Sequence, residues 1–192
     1  MADALGALAE GTRMVVAGEV AQVLAIAAAC DLHHVDETVL VEGAERWLPG
    51  GADGTPDIGE FVAAELAVVL GVSPQAAVCR IASVLNVRHR HPALWQAVCA
   101  GEVRFFEAAR VADACVTAGL DQAACLVVDR HCAVALRMQP WARVRSQVDR
   151  WILLADPTAA AERDAKAGGV RRVEVGQIRD GHVDLWGRLG CR

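Results

Sequence analysis

This chain of 192 residues contains no tyrosine, three phenylalanines and one lysine, Lys166, although 54% of its residues are apolar. Alanine dominates the apolar content, and alanine-rich helices with few aromatic side chains are typical of closely packed helical proteins. Serine is limited to three residues, Ser73, Ser83 and Ser146. Because Ser73 precedes a proline as a helix cap, the sequence offers no Ser-His-Asp arrangement for nucleophilic catalysis.

Long apolar runs and phosphate-binding loops are also lacking. Residues 14–30 come nearest to a membrane span, but Glu19 and Gln22 interrupt them, and helical amphipathicity explains the pattern. The GGADG segment at residues 50–54 has neither the spacing of a phosphate loop nor a following lysine. We therefore expect a soluble protein without membrane contact and without a nucleotide site.

Seven cysteines occur, but no pair has the two-residue spacing of a zinc knuckle. The odd count and the lack of a recognisable signal peptide favour buried, reduced thiols in the cytoplasm. His89 and His91 alternate at a helix end, and no cysteine or carboxylate is close to them in sequence. We expect no metal, no other cofactor and no small-molecule ligand.

Charge is distributed unevenly along the chain, whose net charge is −5. Residues 1–70 carry two basic and twelve acidic side chains, whereas residues 71–192 carry seventeen basic and twelve acidic ones. The two halves either neutralise each other within one fold or separate a solubilising face from an anion-binding one. The overall sign argues against an ordinary basic nucleic-acid module.

Helix signals predict a mainly α fold of about eight or nine helices. Residues 3–30 form the first helix, and residues 31–56 form an irregular loop or hinge. Thr55-Pro56-Asp57 predicts the start of the second helix, and Asp156-Pro157 predicts the start of the last. Alternating residues at 170–175 and 182–186 predict a β-hairpin. The expected architecture is a compact helical domain over 1–169 and a C-terminal hairpin over 170–192 that looks truncated.

Several segments together carry a family resemblance. They read ELAVVLGVSPQAAVCRI from residue 65, HPALWQAVCAGEV from residue 91, WILLADPTAAAERDAKAGGVRRVEV from residue 151 and DGHVDLWGRL from residue 180. Over roughly residues 15–190 the chain resembles the actinobacterial 13E12-repeat family, whose shared region is called domain of unknown function 222.

In many members of that family the helical region precedes a His-Asn-His endonuclease domain, so the resemblance implies an association with DNA metabolism or mobile elements. A His-Asn-His nuclease needs a histidine base and metal ligands on a ββα scaffold. The family's catalytic residues have no matching positions in this sequence. We therefore expect the helical domain without its nuclease domain, and no enzymatic activity.

Two segments are candidates for contact with DNA. Residues 65–81 resemble a helix-turn-helix, whose second helix would expose Gln75, Arg80 and Arg88, although ordinary helix packing produces the same pattern. Arg88 and Arg90 belong to the most basic local cluster, which either contacts phosphate or forms a solvated helix C-terminus.

A third candidate is the helix that follows Pro140. Arg143, Arg145 and Arg150 lie away from its tryptophan stripe, and Arg130 and Arg137 on the preceding helix could extend the basic surface. The alternative is a solvent face that is partly paired with acidic residues, and such pairs add little stability.

The sequence thus predicts a non-catalytic helical module that contacts DNA weakly and nonspecifically through its basic C-terminal region. Two alternatives stay open. The chain is a protein-interaction or self-association module, with an apolar groove or an unpaired strand edge as its interface, or it is a truncated relic without a selected activity.

Overall fold

The structure is a computed structural model that describes residues 1–33 and 45–158, together with the backbone of residues 172–175 and 185–188. The helices of the described ranges are α1 (Ala2–Leu32), α2 (Glu60–Leu70), α3 (Pro74–Arg90), α4 (Pro92–Cys99), α5 (Phe105–Thr117), α6 (Gln122–Met138) and α7 (Trp141–Ala155). Two antiparallel pairs accompany them: β1 (Trp47–Pro49) with β2 (Asp57–Gly59), and β3 (Arg172–Val175) with β4 (Leu185–Arg188).

The mainly α fold and the small C-terminal hairpin are therefore confirmed. The described ranges hold seven helices, fewer than the eight or nine predicted, and most of the helix predicted after Asp156 lies outside them. The chain divides into two compact units, Met1–Ala155 and Asp156–Arg192. The predicted boundary at residue 169 lies outside the described residues.

Local signals set several helix ends as expected. The Ser73 hydroxyl accepts a hydrogen bond from Ala76 N at 3.2 Å, and the Asp121 carboxylate accepts one from Ala124 N at 2.8 Å. Each bond satisfies an amide that has no partner inside the first helical turn. Gly71 ends α2 with a φ of 65°, in the left-handed region that glycine adopts without strain.

The predicted start of α2 at Thr55-Pro56 is wrong. Residues 57–59 form β2, which places Ile58 opposite Leu48 of β1, and α2 begins only at Glu60. Ile58 is buried at 2% exposure, and burying its side chain favours the strand over another helical turn. The loop between the strands is held by Asn86 of α3, whose side-chain oxygen accepts a hydrogen bond from Ala52 N at 2.9 Å. Part of the predicted 31–56 loop is therefore ordered structure.

The central helix of the first unit is α3, which contacts α1, α2, α4, α5 and α6. Its buried side chains, Ile81, Val84, Leu85 and Val87 among them, belong to one continuous apolar core. Helices α4, α5 and α6 also pack against α3, and α7 packs against α5 and α6. This arrangement leaves the outer faces of α5, α6 and α7 in solvent.

The buried residues of helix α1 all lie in its last third. Val23, Ile26 and Ala27 are its buried residues, and residues 1–10 are all exposed. With a mean hydropathy of 1.7 over its most apolar 18 residues, α1 is the one described helix that is by itself long and apolar enough to cross a membrane. Buried core helices of water-soluble proteins and N-terminal signal sequences also have these properties, and 17% of those residues of α1 are buried.

Candidate functional site

The α3 arginines of the predicted DNA surface are engaged by other parts of the protein. Arg80 donates a hydrogen bond to Gln22 Oε1 at 3.0 Å and lies 4.6 Å above the centre of the Phe105 ring. Arg88 forms an ion pair with Asp31 at 2.8 Å. Both guanidinium groups therefore tie α3 to neighbouring helices, and contact with a phosphate would compete with these bonds.

Arg90 is only 1% exposed, so the prediction that it belongs to a nucleic-acid surface is wrong. Its Nη2 atom donates to the Leu120 carbonyl oxygen at 2.5 Å. The Nε and Nη1 atoms are buried without a hydrogen-bond partner among the described residues. Within the cluster from Arg88 to His91, Arg90 and His91 are thus buried in the protein, whereas Arg88 and His89 stay partly exposed.

The α7 arginines, in contrast, remain in solvent. Arg143, Arg145 and Arg150 are exposed, and none forms an ion pair with another residue of the described ranges. Arg143 and Arg150 are seven positions apart and lie on one face of α7, while Arg145 lies on the opposite flank, because a helix turns by about 100° per residue. The structure brings the first two together and separates the third.

Arg145 shares a cleft between α5 and α7 with a residue that sequence analysis did not single out. The cleft has a volume of about 540 Å³, and its lining includes Arg110, Trp141, Arg145 and Asp149. The Arg110 guanidinium lies 5.8 Å from the centre of the Trp141 ring. Two cations and an aromatic ring thus face one cavity, although Arg110 gives no local sequence signal for this role.

The residues predicted to extend the surface on α6 differ from each other. Arg137 forms an ion pair with Glu102 at 2.5 Å, so its guanidinium group already has an acidic partner. Arg130 lines a groove of about 420 Å³ between α6 and α7, beside His131 and Trp151, whose rings stack at 5.7 Å. Arg130 therefore extends the exposed basic face, whereas Arg137 holds α6 to the turn after α4.

The α2–α3 pair has the shape of a helix-turn-helix but not its charge. The two helix axes meet at 104° across a three-residue turn. The exposed residues in the first turns of α3, among them Gln75 and Cys79, are uncharged, and the exposed face of α2 includes Glu65, Val68 and Val69. A recognition helix relies on cations close to the phosphates. The described residues of this helix pair offer no cation that is free of contacts with the rest of the protein.

A second cluster, deep in the core, was not predicted. His91 lies between α3 and α4, Cys115 on α5 and Cys125 on α6; all three are buried. One donor atom of each lies within 4.8 Å of the others. The hydrogen bond between the two thiols raises the pKa of Cys115, and the same bond, with help from His91, lowers the pKa of Cys125. These are the residues of the described ranges that could hold a metal.

Asp129 lies beside this cluster and completes α4. Its two carboxylate oxygens accept hydrogen bonds from Ala93 N at 2.8 Å and Leu94 N at 2.9 Å. Burial raises the pKa of Asp129, and the two amide bonds partly offset that rise. His91 and Asp129 thus meet at one helix end although they are far apart in sequence.

No protein-family model, no curated protein and no solved structure matches this chain. The resemblance to the 13E12-repeat family therefore stays a prediction.

Proposed function

We propose that this chain is a non-catalytic helical module that contacts DNA phosphates weakly and nonspecifically through arginines of α5 to α7. The resemblance to the helical domain of 13E12-repeat proteins, which often precedes a His-Asn-His nuclease, motivates DNA as the partner. The observation that carries the proposal is that Arg110, Arg143, Arg145 and Arg150 are exposed and form no ion pair within the described ranges. Exposed arginines release counterions when they meet phosphates, which favours binding at low salt.

The proposed surface has two parts with different geometry. The outer pair is Arg143 and Arg150, which share one face of α7, and the cleft pair is Arg110 and Arg145, which line the cavity beside Trp141. The outer pair can follow a phosphate backbone along the helix. The cleft pair could grip one phosphate, although Asp149 at the same cleft reduces its net positive charge.

The test is fluorescence anisotropy of labelled duplex DNA across a salt series. We expect Arg143→Glu/Arg150→Glu and Arg110→Glu/Arg145→Glu each to weaken binding. The outer-pair variant should also reduce the magnitude of the slope of log K against log salt by about 2 and the cleft-pair variant by about 1, because each lost phosphate contact removes about 0.9 from it. Arg13→Glu/Arg46→Glu changes the net charge equally at residues outside the surface and should leave the slope unchanged. Equal loss in the control, or no binding of the wild-type protein at low salt, would reject the proposal.

The exposed part of α1 supports self-association as a second candidate function. Leu5, Leu8 and Val15 are between 58% and 66% exposed. Their spacing continues the stripe that Val23 and Ile26 bury in the core, because residues three, four or seven apart share a helical face. An apolar stripe that is buried at one end and exposed at the other fits α1 of a second copy.

Light scattering on the purified chain tests this candidate. We expect a dimer that Leu8→Gln/Val15→Gln converts to a monomer. Met14→Gln is the matched control, because Met14 is 63% exposed on the opposite side of α1. A wild-type monomer at high concentration, or wild-type protein that floats with lipid vesicles, would count against self-association through this stripe.

A further inference from the structure

Three potential metal ligands converge in the core from three different elements. The ring nitrogens of His91, at the α3–α4 junction, meet the thiols of Cys115 on α5 and Cys125 on α6. One donor atom from each lies within 4.8 Å of the other two, and all three residues have 0% exposure. Zinc–sulfur and zinc–nitrogen bonds of about 2.3 Å and about 2.0 Å hold donors within roughly 4 Å of each other. A small movement of the side chains would complete that geometry.

Several buried side-chain nitrogens in this part of the core lack hydrogen-bond partners. No described residue lies in hydrogen-bond geometry to either ring nitrogen of His91, although the close contact of this ring lowers the pKa of the Cys125 thiol. Nε and Nη1 of Arg90 also lack a partner among the described residues. A buried polar group without a partner is costly, and native proteins satisfy nearly all of them. A neutral thiol is only a weak acceptor, whereas a metal-bound thiolate is a stronger acceptor for an N–H group. A bound metal would coordinate one nitrogen of His91. The metal-bound thiolates would provide hydrogen-bond acceptors for Arg90.

The charges in the core match a divalent ion better than a monovalent one. Arg90 contributes one positive charge and Asp129 one negative charge, and both side chains are buried at 1% exposure. Two thiolates would add two negative charges, which a core cannot hold without compensation. A divalent cation bound to two thiolates and a neutral imidazole restores neutrality. A monovalent copper ion would leave one negative charge uncompensated.

We propose that His91, Cys115 and Cys125 form a zinc site that ties the α3–α4 junction to α5 and α6. Nitrogen and thiolate donors are the ligands that zinc prefers in proteins. Binding converts two thiols to thiolates and releases two protons to solvent, so affinity rises with pH. A water molecule would supply the fourth ligand, and the Arg90 guanidinium would donate to the bound thiolates.

The first measurement is the zinc content of the reduced, full-length protein by plasma mass spectrometry. We expect one zinc per chain, released when the thiols are titrated with an organomercurial. Replacement by Co²⁺ should give thiolate-to-cobalt charge-transfer bands in the near ultraviolet. A wild-type protein that binds neither ion, or one that carries a Cys115–Cys125 disulfide under reducing conditions, would overturn the proposal.

Cysteine variants distinguish a loss of zinc binding from a general disturbance of core packing. Cys115→Ser and Cys125→Ser should lose the zinc and the charge-transfer bands. Cys132→Ser is the matched control, because Cys132 is a buried thiol on α6 outside the three-donor group, and it should keep both. If the ligand variants do not fold, the wild-type protein decides the outcome, because a chelator should lower its melting temperature and added zinc should restore it. Equal zinc loss in Cys132→Ser would also overturn the proposal.

Discussion

Asp129 shows how a single residue can complete a helix that its own segment leaves uncapped. The side chain of His91, which precedes Pro92 at the start of α4, makes no capping hydrogen bond. The carboxylate of Asp129 instead accepts from Ala93 N and Leu94 N. Its negative charge also meets the positive end of the α4 dipole, which partly offsets the cost of burying it. At the scale of residues, the structure depends on buried polar groups near the α3–α4 junction.

We expect Asp129→Ala to lower the free energy of unfolding by about 2–4 kcal/mol, because it leaves one buried and one partly buried amide without an acceptor. Urea denaturation measures the change. Asp129→Asn keeps one carbonyl acceptor and should lose less. Asp149→Ala, at an exposed position on α7, is the control and should stay within about 0.5 kcal/mol of the wild-type value. A loss in Asp129→Ala as small as that of the control would contradict the capping role.

The lowered pKa of His89 makes the free energy of unfolding depend on pH. Burial, and after it the positive charge of Arg88, lowers the pKa of His89 below its ordinary value of 6.5. As the pH falls from about 6.5 towards the folded pKa, the unfolded chain binds a proton that the folded chain does not. The free energy of unfolding should therefore decrease as the pH falls through this window and level off below the folded pKa.

Urea titrations between about pH 5 and about pH 7 at constant ionic strength test this dependence. His89→Gln should show a smaller change in unfolding free energy with pH than the wild-type protein. His131→Gln, at an exposed position on α6, is the matched control. An unchanged pH dependence in His89→Gln would show that other groups cause it.

At the scale of elements, the β1–β2 pair decides where α2 begins. The strands are only three residues long, and two short strands are marginal alone. They persist here because Ile58 enters the core and Asn86 of α3 holds the intervening loop. Gly50 is also required, because a β-carbon there would overlap the Pro56 carbonyl oxygen and lie 2.7 Å from Leu85 Cδ1.

Gly50→Ala should destabilise the protein by about 1–3 kcal/mol, the usual cost of forcing extra atoms into a packed region. Gly18→Ala is the matched control: Gly18 is helical, and nothing lies within 4 Å of its added β-carbon. That substitution should be neutral or stabilise by up to about 1 kcal/mol, because alanine has the higher helix propensity. Thermal melts of the two variants compare them directly, and equal effects would refute the steric argument.

At the scale of the whole molecule, the acidic N-terminal half neutralises part of the basic half. Glu19 of α1 pairs with Arg104 at 2.6 Å, and Asp31 at the end of α1 pairs with Arg88 at 2.8 Å. These pairs hold an arginine of α3 and the arginine that precedes α5 against α1. The outer faces of α5 to α7 receive no such partner within the described ranges, so the remaining positive charge is concentrated there.

Glu19→Gln/Asp31→Asn should loosen α1 without unfolding the core. We expect faster hydrogen exchange in the last third of α1 and a loss of at most about 1 kcal/mol per pair, because partly exposed pairs are worth little. Glu10→Gln is the control, because its partner Arg13 lies on α1 itself. High salt should reduce the difference between variant and wild type. Unchanged exchange in α1 would mean that apolar packing alone holds it.

The sequence alone determined the helical class and most helix ends, since these depend on residues within one helical turn. Ser73, Gly71 and Asp121 act through such short-range bonds, and the alternating residues near the C-terminus likewise predicted a hairpin that the structure contains. The tertiary structure decided which long-range partners meet: β1 with β2, Asp129 with α4, and His91 with two distant thiols. It also decided that Arg90 is buried while Arg143 is not. The spacing of residues within one helical turn does not predict these contacts, because each depends on how the helices pack around α3.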